Sequence, residues 1–113
     1  MPNLSIDTRT DGAVRVLEIV GELDLAGTEV LEQAVAEAEA ARPDVLVLDL
    51  RGVQFMDSSG LRSVMLAAQR AEKDARRFAL VPGKKQVMRV FEITRMEERL
   101  EFVDDPASLA RRR

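Results

Sequence analysis

Val45-Leu46-Val47-Leu48-Asp49-Leu50, followed by Phe55-Met56-Asp57-Ser58-Ser59-Gly60-Leu61, is the stretch that decides the fold. With Asp44 ahead of it, the first run is apolar on both faces over its centre, as a strand buried inside a sheet requires. After a short crossing segment, an acid, two hydroxyls and a glycine precede Leu61, Val64, Met65, Ala68 and Ala71, which fall on one helical face. The spacing predicts a helix from Ser58 to about Ala75. A helix start has unpaired backbone N–H groups and partial positive charge, so hydroxyls or a phosphate are stabilised there. Ser58 is therefore a candidate charge switch.

Toward the N-terminus, Leu4, Ile6 and Thr8 alternate with polar residues, Asp11-Gly12 supplies a turn, and Val14 to Leu23 is a second apolar-rich run. Asp-Gly between two such runs signals a hairpin. Between Leu25 and Arg42, the residues Val30, Leu31, Ala34, Val35, Ala38 and Ala41 share one face of an amphipathic helix, which Pro43 stops. Toward the C-terminus come a strand over Phe78 to Val81 and a helix over Lys84 to Thr94. A last strand covers Leu100 to Val103, and a final short helix opens at Asp104-Asp105-Pro106 and runs to about Arg111. The order is β-β-α-β-α-β-α-β-α, an α/β domain with one mixed sheet. A single domain is expected over 1–113, with its core at about 4–109.

The 113 residues are 46% hydrophobic and 33% charged, a globular balance. The longest apolar run, Val64 to Ala68, is far short of a membrane span, and the start lacks a signal-peptide pattern. There is no cysteine. The expectation is a cytoplasmic protein that does not insert into a membrane. A net charge of −3 argues against a grip on phosphate backbones, so no nucleic-acid partner is expected. The aromatics Phe55, Phe78, Phe91 and Phe102 sit in apolar patterns that read as core. Basic clusters at Arg76-Arg77, Lys84-Lys85 and Arg111-Arg112-Arg113 read as helix-end and tail charges.

Without histidine, a Ser-His-Asp triad and the usual zinc sites are absent. Asp104-Asp105 lacks the spaced ligands of a calcium loop, and Pro82-Gly83-Lys84-Lys85 fails as a phosphate loop. No cofactor and no metal are expected. Asp49, at the end of a parallel strand, is placed like the phosphoacceptor of a response-regulator receiver. The acids that would hold its metal are missing after the first strand, which ends in Thr8-Arg9-Thr10. Asp49 instead ends a strand or orders the turn that follows.

Gly21-Glu22-Leu23-Asp24, Leu48-Asp49-Leu50 and Asp57-Ser58-Ser59-Gly60-Leu61, in that register and element order, resemble the STAS domain, and most closely the bacterial anti-sigma factor antagonists. The resemblance covers about Leu4 to Leu109. It implies a regulatory protein and not an enzyme. Ser58 matches the serine that the cognate anti-sigma factor, itself a serine kinase, phosphorylates. Asp57, Ser59, Gly60 and Leu61 complete the partner-binding motif, and Asp24 matches an acid on the neighbouring loop. In such proteins the unmodified form binds the anti-sigma factor and releases the sigma factor, phosphorylation blocks this, and a PP2C-type phosphatase restores it. ATP would belong to the kinase. The alternative is a STAS adaptor subunit of a transport or signalling complex without a phosphorylation switch.

Taken alone, Asp57 and Ser58 also read as helix caps, Asp24 as a cap of the first helix, and Gly60 as a residue fitting a tight crossover. Two departures from the family stand out. Ile93-Thr94-Arg95-Met96 lacks the glycine that many relatives have after the third helix, which predicts that the helix runs on or ends differently. Gly83-Lys84-Lys85 makes that helix start basic, against its dipole.

Overall fold

The structure is a computed structural model and describes residues 3–110. Strand β1 (Leu4–Asp11) turns through Gly12-Ala13 into β2 (Val14–Leu23). Asp11 pairs with Val14 across this two-residue turn, whose Gly12 takes the left-handed φ of 63° that hairpin turns favour. A single 3₁₀ turn (Leu25–Gly27) leads into α1 (Thr28–Ala40). Then follow β3 (Val45–Met56), α2 (Ser58–Lys73), β4 (Arg77–Val81) and α3 (Lys85–Ile93). A second 3₁₀ turn (Met96–Arg99) precedes β5 (Glu101–Phe102) and α4 (Ala107–Ala110). Residues 111–113, including the basic tail expected to end the last helix, lie outside the described residues.

The five strands lie in chain order, β1 antiparallel to β2 and the rest parallel, which makes the expected mixed α/β sheet. One face carries Leu17, Ile19, Leu46, Leu48 and Leu80 against Leu31 and Val35 of α1, Leu61 and Val64 of α2, and Val87 and Phe91 of α3. Phe91 meets Phe102 edge-on at 5.9 Å. A full burial of this kind contributes about 1.5–3 kcal/mol per large side chain. On the other face Val14, Val16, Val47, Ala79 and Val81 pack with Leu109 of α4.

Strand β3 is longer than its apolar run predicts. It pairs with β2 as far as Leu23↔Met56, with register shifts opposite Glu18/Val20 and Gly21/Glu22. Asp49 orders the first irregularity. It accepts the backbone N–H of Arg51 at 3.0 Å and the Arg51 guanidinium at 2.8 Å. Only 5% of Asp49 is exposed. Burial pushes its carboxyl up, but the Arg51 side-chain and backbone hydrogen bonds outweigh that and hold it below its ordinary value. Neither reading left for Asp49 holds as stated: the strand does not end there and no turn follows, because β3 continues to Met56, and the acid instead orders an irregularity inside the strand.

The extra residues in β3 also overturn one expectation. Phe55 is not core: it lies opposite Glu22 in the β2–β3 register and is 50% exposed. Helix α3 ends where a glycine-capped helix would, without the glycine. Arg95 adopts the left-handed conformation at φ 60°, and its N–H reaches the Glu92 carbonyl at 3.1 Å. Left-handed backbone costs a non-glycine residue about 1–2 kcal/mol. The Thr94 hydroxyl, donating to the Val90 carbonyl at 2.8 Å, offsets part of it. Arg42 and Ala75 take the same conformation after α1 and α2.

Candidate functional site

Parallel pairing brings two chain segments to one end of the sheet. Leu23 ends β2 and Met56 ends β3, and these residues are partners, so Asp24 and Asp57 leave adjacent strand ends. Each acid has extended backbone (φ −113°, ψ −171° and φ −112°, ψ −171°). Asp57 Oδ1 accepts the N–H groups of Ser59 at 2.9 Å and Gly60 at 3.1 Å. Asp24 Oδ1 accepts the Gly27 N–H at 3.1 Å. Both acids are N-caps of the preferred kind. The Asp57 N–H points back to the Leu23 carbonyl at 3.4 Å and ties the two loops together.

Ser58 is the first residue of α2, and its side chain is exposed. Asp57 and Ser59 are half-buried beside it, as is Asp24 across the strand gap. Gly60 and Leu61 turn inward. A Cβ on Gly60 would overlap the Leu23 carbonyl oxygen, and Leu61 belongs to the core. The structure thus brings Asp24, Asp57, Ser58 and Ser59 together at an accessible edge, with Gly60 and Leu61 beneath them. The cap also changes the expected electrostatics. Two of the N–H groups that a phosphate on Ser58 could have used are already held by the Asp57 carboxylate.

Two residues near this edge escaped the sequence reading. Leu25, directly after Asp24, is 73% exposed, and Phe55 stands two residues before Asp57. The signal for Leu25 was present, because it precedes the apolar face that begins at Val30. The exposure of Phe55 depends on the strand irregularities. Lys84, whose charge stood out in the sequence, caps α3 with extended backbone and bonds Gln54. Arg77 is held by Glu101, which raises its pKa through hydrogen bonding and charge. Arg76 donates to the Pro43 carbonyl at 3.2 Å.

Depressions of about 860 and 850 Å³ lie away from Ser58, lined among others by Glu39, Arg42 and Asp44, and by Met65, Phe78 and Leu100. Among the described residues no group of three acids is placed to share a metal ion, and no helix is long and apolar enough to cross a membrane. The accessible chemistry at this edge is a serine hydroxyl beside two carboxylates, with apolar neighbours.

The family model described as Mlab, STAS domain matches residues 6–104. The chain belongs to the STAS family. Its sequence is 34% identical over 68 residues to the anti-sigma-F factor antagonist RsfB of Mycobacterium tuberculosis (strain H37Rv), a match covering 60% of this chain and 56% of RsfB. This STAS chain thus spans little more than half the length of that relative. Its structure resembles an anti-sigma factor antagonist from Mycobacterium paratuberculosis at a TM-score of 0.85 and 25% identity, over 96% of this chain and 94% of that one. It also resembles the Bacillus cell fate determinant SpoIIAA in its phosphorylated form, at a TM-score of 0.70 and 21% identity, over 97% and 99% of the two chains. That last likeness is one of fold.

Proposed function

We propose that this STAS protein is a cytoplasmic anti-sigma factor antagonist, controlled by phosphorylation of Ser58 and not itself an enzyme. The exposed Ser58 hydroxyl, at a helix start beside Asp57 and Asp24, is the observation that carries the reading. Support comes from relatives described as anti-sigma factor antagonists and from SpoIIAA, a protein of this fold with a phosphorylated form. In the unmodified state an anti-sigma factor docks over Asp24, Asp57, Ser58 and Ser59, with Leu25 and Phe55 supplying apolar contact at its flanks. Gly60 and Leu61 serve by holding the loop in shape.

Phosphorylation adds about −1.5 to −2 charges at neutral pH. With the Ser59 and Gly60 N–H groups already engaged by Asp57, the phosphate faces the partner rather than its own helix. Opposed like charges at about 6 Å cost roughly 3 kcal/mol at an effective dielectric near 20, before salt screening. That corresponds to an affinity loss on the order of 100-fold, with no change in fold. The kinase is the anti-sigma factor, which brings its own ATP, and a PP2C-type phosphatase returns the protein to its binding form.

The test mixes the chain with a serine-kinase anti-sigma factor and ATP and locates the phosphate by mass spectrometry. Phosphate on Ser58 is expected. Ser58→Ala should still bind and escape modification, and Ser58→Asp should bind about 100-fold more weakly. Phosphate elsewhere sinks the switch at Ser58, and equal binding of Ser58→Asp sinks charge repulsion. A chain that is never modified and co-purifies with transporter components instead would be the adaptor subunit.

A further inference from the structure

We infer that the free edge of β1 is a docking surface for a second copy of this chain, paired antiparallel about a two-fold axis at Thr8. Strand β1 stands at the end of the sheet, so among the described residues half of its backbone hydrogen-bonding groups have no strand beside them. Which half is fixed by the Glu22 N–H, which bonds the Asn3 carbonyl at 2.7 Å. Pairing with β2 then runs without a register shift from Leu4↔Gly21 to Asp11↔Val14. Alternation therefore turns the N–H and C=O groups of Ser5, Asp7 and Arg9 toward β2, and those of Leu4, Ile6, Thr8 and Thr10 outward. Residues Asp7 to Asp11 are all exposed, so the helices on either face leave this part of the edge clear.

Charges on an edge strand usually keep other strands away. Here they select one register. With the axis at Thr8, Thr8 exchanges both its backbone hydrogen bonds with the partner's Thr8, and Ile6 does so with the partner's Thr10. Asp7 then lies opposite the partner's Arg9, and Arg9 opposite the partner's Asp7, in the close pairs where side chains approach most. Moving the axis to Asp7 sets that acid against itself. Moving it to Arg9 sets Arg9 against itself and Asp7 against the partner's Asp11. The acid also gains a cation opposite it, which the described residues of one copy do not place there. Asp7 faces Glu18 across β1 and β2, and Arg9 bonds Glu18, not Asp7. The pairing makes an isologous dimer with one continuous ten-stranded sheet. Ser58, beyond the ends of β2 and β3, takes no part in it.

Sedimentation equilibrium of the full chain, up to millimolar concentration, tests this. A monomer–dimer equilibrium is expected. Thr8→Pro removes an outward N–H that the monomer's own sheet does not use, and Asp7→Arg opposes two cations at each end of the pairing. Each should weaken dimerisation roughly tenfold or more. Asp7→Arg and Arg9→Asp together restore opposite charges and should recover most of the loss, a rescue that misfolding would not produce. Circular dichroism checks that each variant is folded. A chain that stays monomeric throughout, or a dimer unchanged by Thr8→Pro and Asp7→Arg, overturns the inference.

Discussion

Asp24-Leu25-Ala26-Gly27 after β2 and Asp57-Ser58-Ser59-Gly60 after β3 are built on one backbone plan and carry different contents. Both begin with an extended acid whose Oδ1 accepts the glycine N–H at 3.1 Å, and both end on a glycine pressed against neighbouring backbone. Between acid and glycine, the first has the exposed Leu25 and Ala26, and the second has the exposed Ser58 and the half-buried Ser59. The first relaxes into a 3₁₀ turn before α1, whereas the second opens the sixteen-residue α2 directly. The outer residues of each device are therefore not needed for its shape, which the flanking acid and glycine fix. A hydroxyl can be placed at the second without any folding role of its own.

The largest expected effect separates the two glycines. A Cβ on Gly60 would meet the Leu23 carbonyl, which β2 and the Asp57 N–H both hold in place, so the backbone must move. At Gly27 the nearest backbone atom is the Glu22 carbonyl oxygen at 2.9 Å, a milder overlap. Gly60→Ala should destabilise by about 3 kcal/mol and Gly27→Ala by about 1 kcal/mol, read by urea denaturation. Equal costs would mean that the second loop is no more tightly built than the first.

Next in size are the acids. Asp57 accepts two N–H groups and Asp24 one. Removing a cap of this kind costs about 0.5–2 kcal/mol. Asp57→Ala should lie near the top of that range and Asp24→Ala near the bottom, measured in the same denaturant series. If the order were reversed, Asp24 would carry structural weight that its single bond does not explain.

These contrasts also mark what the chain made legible before its structure. The element order and the hairpin at Asp11-Gly12 follow from apolar period and turn residues, which act locally, whereas the joint placement of Asp24 with Ser58 came from the resemblance to the STAS domain. The exposure of Phe55 followed from neither, because it depends on where β3 slips against β2. There are two slips, the first held by the Asp49–Arg51 contact and the second falling next to Phe55, and hydrophobic pattern marks neither. The left-handed Arg95 was hidden for a related reason. Glycine is the usual marker of such a cap, and here the chain adopts it with hydrogen bonds from Thr94 and the Arg95 backbone instead. The inward face of Leu61 was legible from the helical period, whereas the partner that Gly60 presses against, the Leu23 carbonyl, was not.

The smallest expected effect bears most directly on the division between frame and contents. The Ser58 side chain is exposed, and the N–H groups nearest to it are satisfied by Asp57. A surface substitution away from any cap, cavity or buried network changes stability by less than about 0.5 kcal/mol. Ser58→Ala should therefore leave the denaturation midpoint close to that of the unaltered chain, while Asp57→Ala in the same experiment moves it clearly. Alanine is also the better helix former, so any shift should be slightly upward. A loss above 1 kcal/mol would mean that the hydroxyl helps to hold the start of α2. Phosphorylation would then disturb the fold as well as the surface, and the two Asp-x-x-Gly devices would differ in construction and not only in what they display.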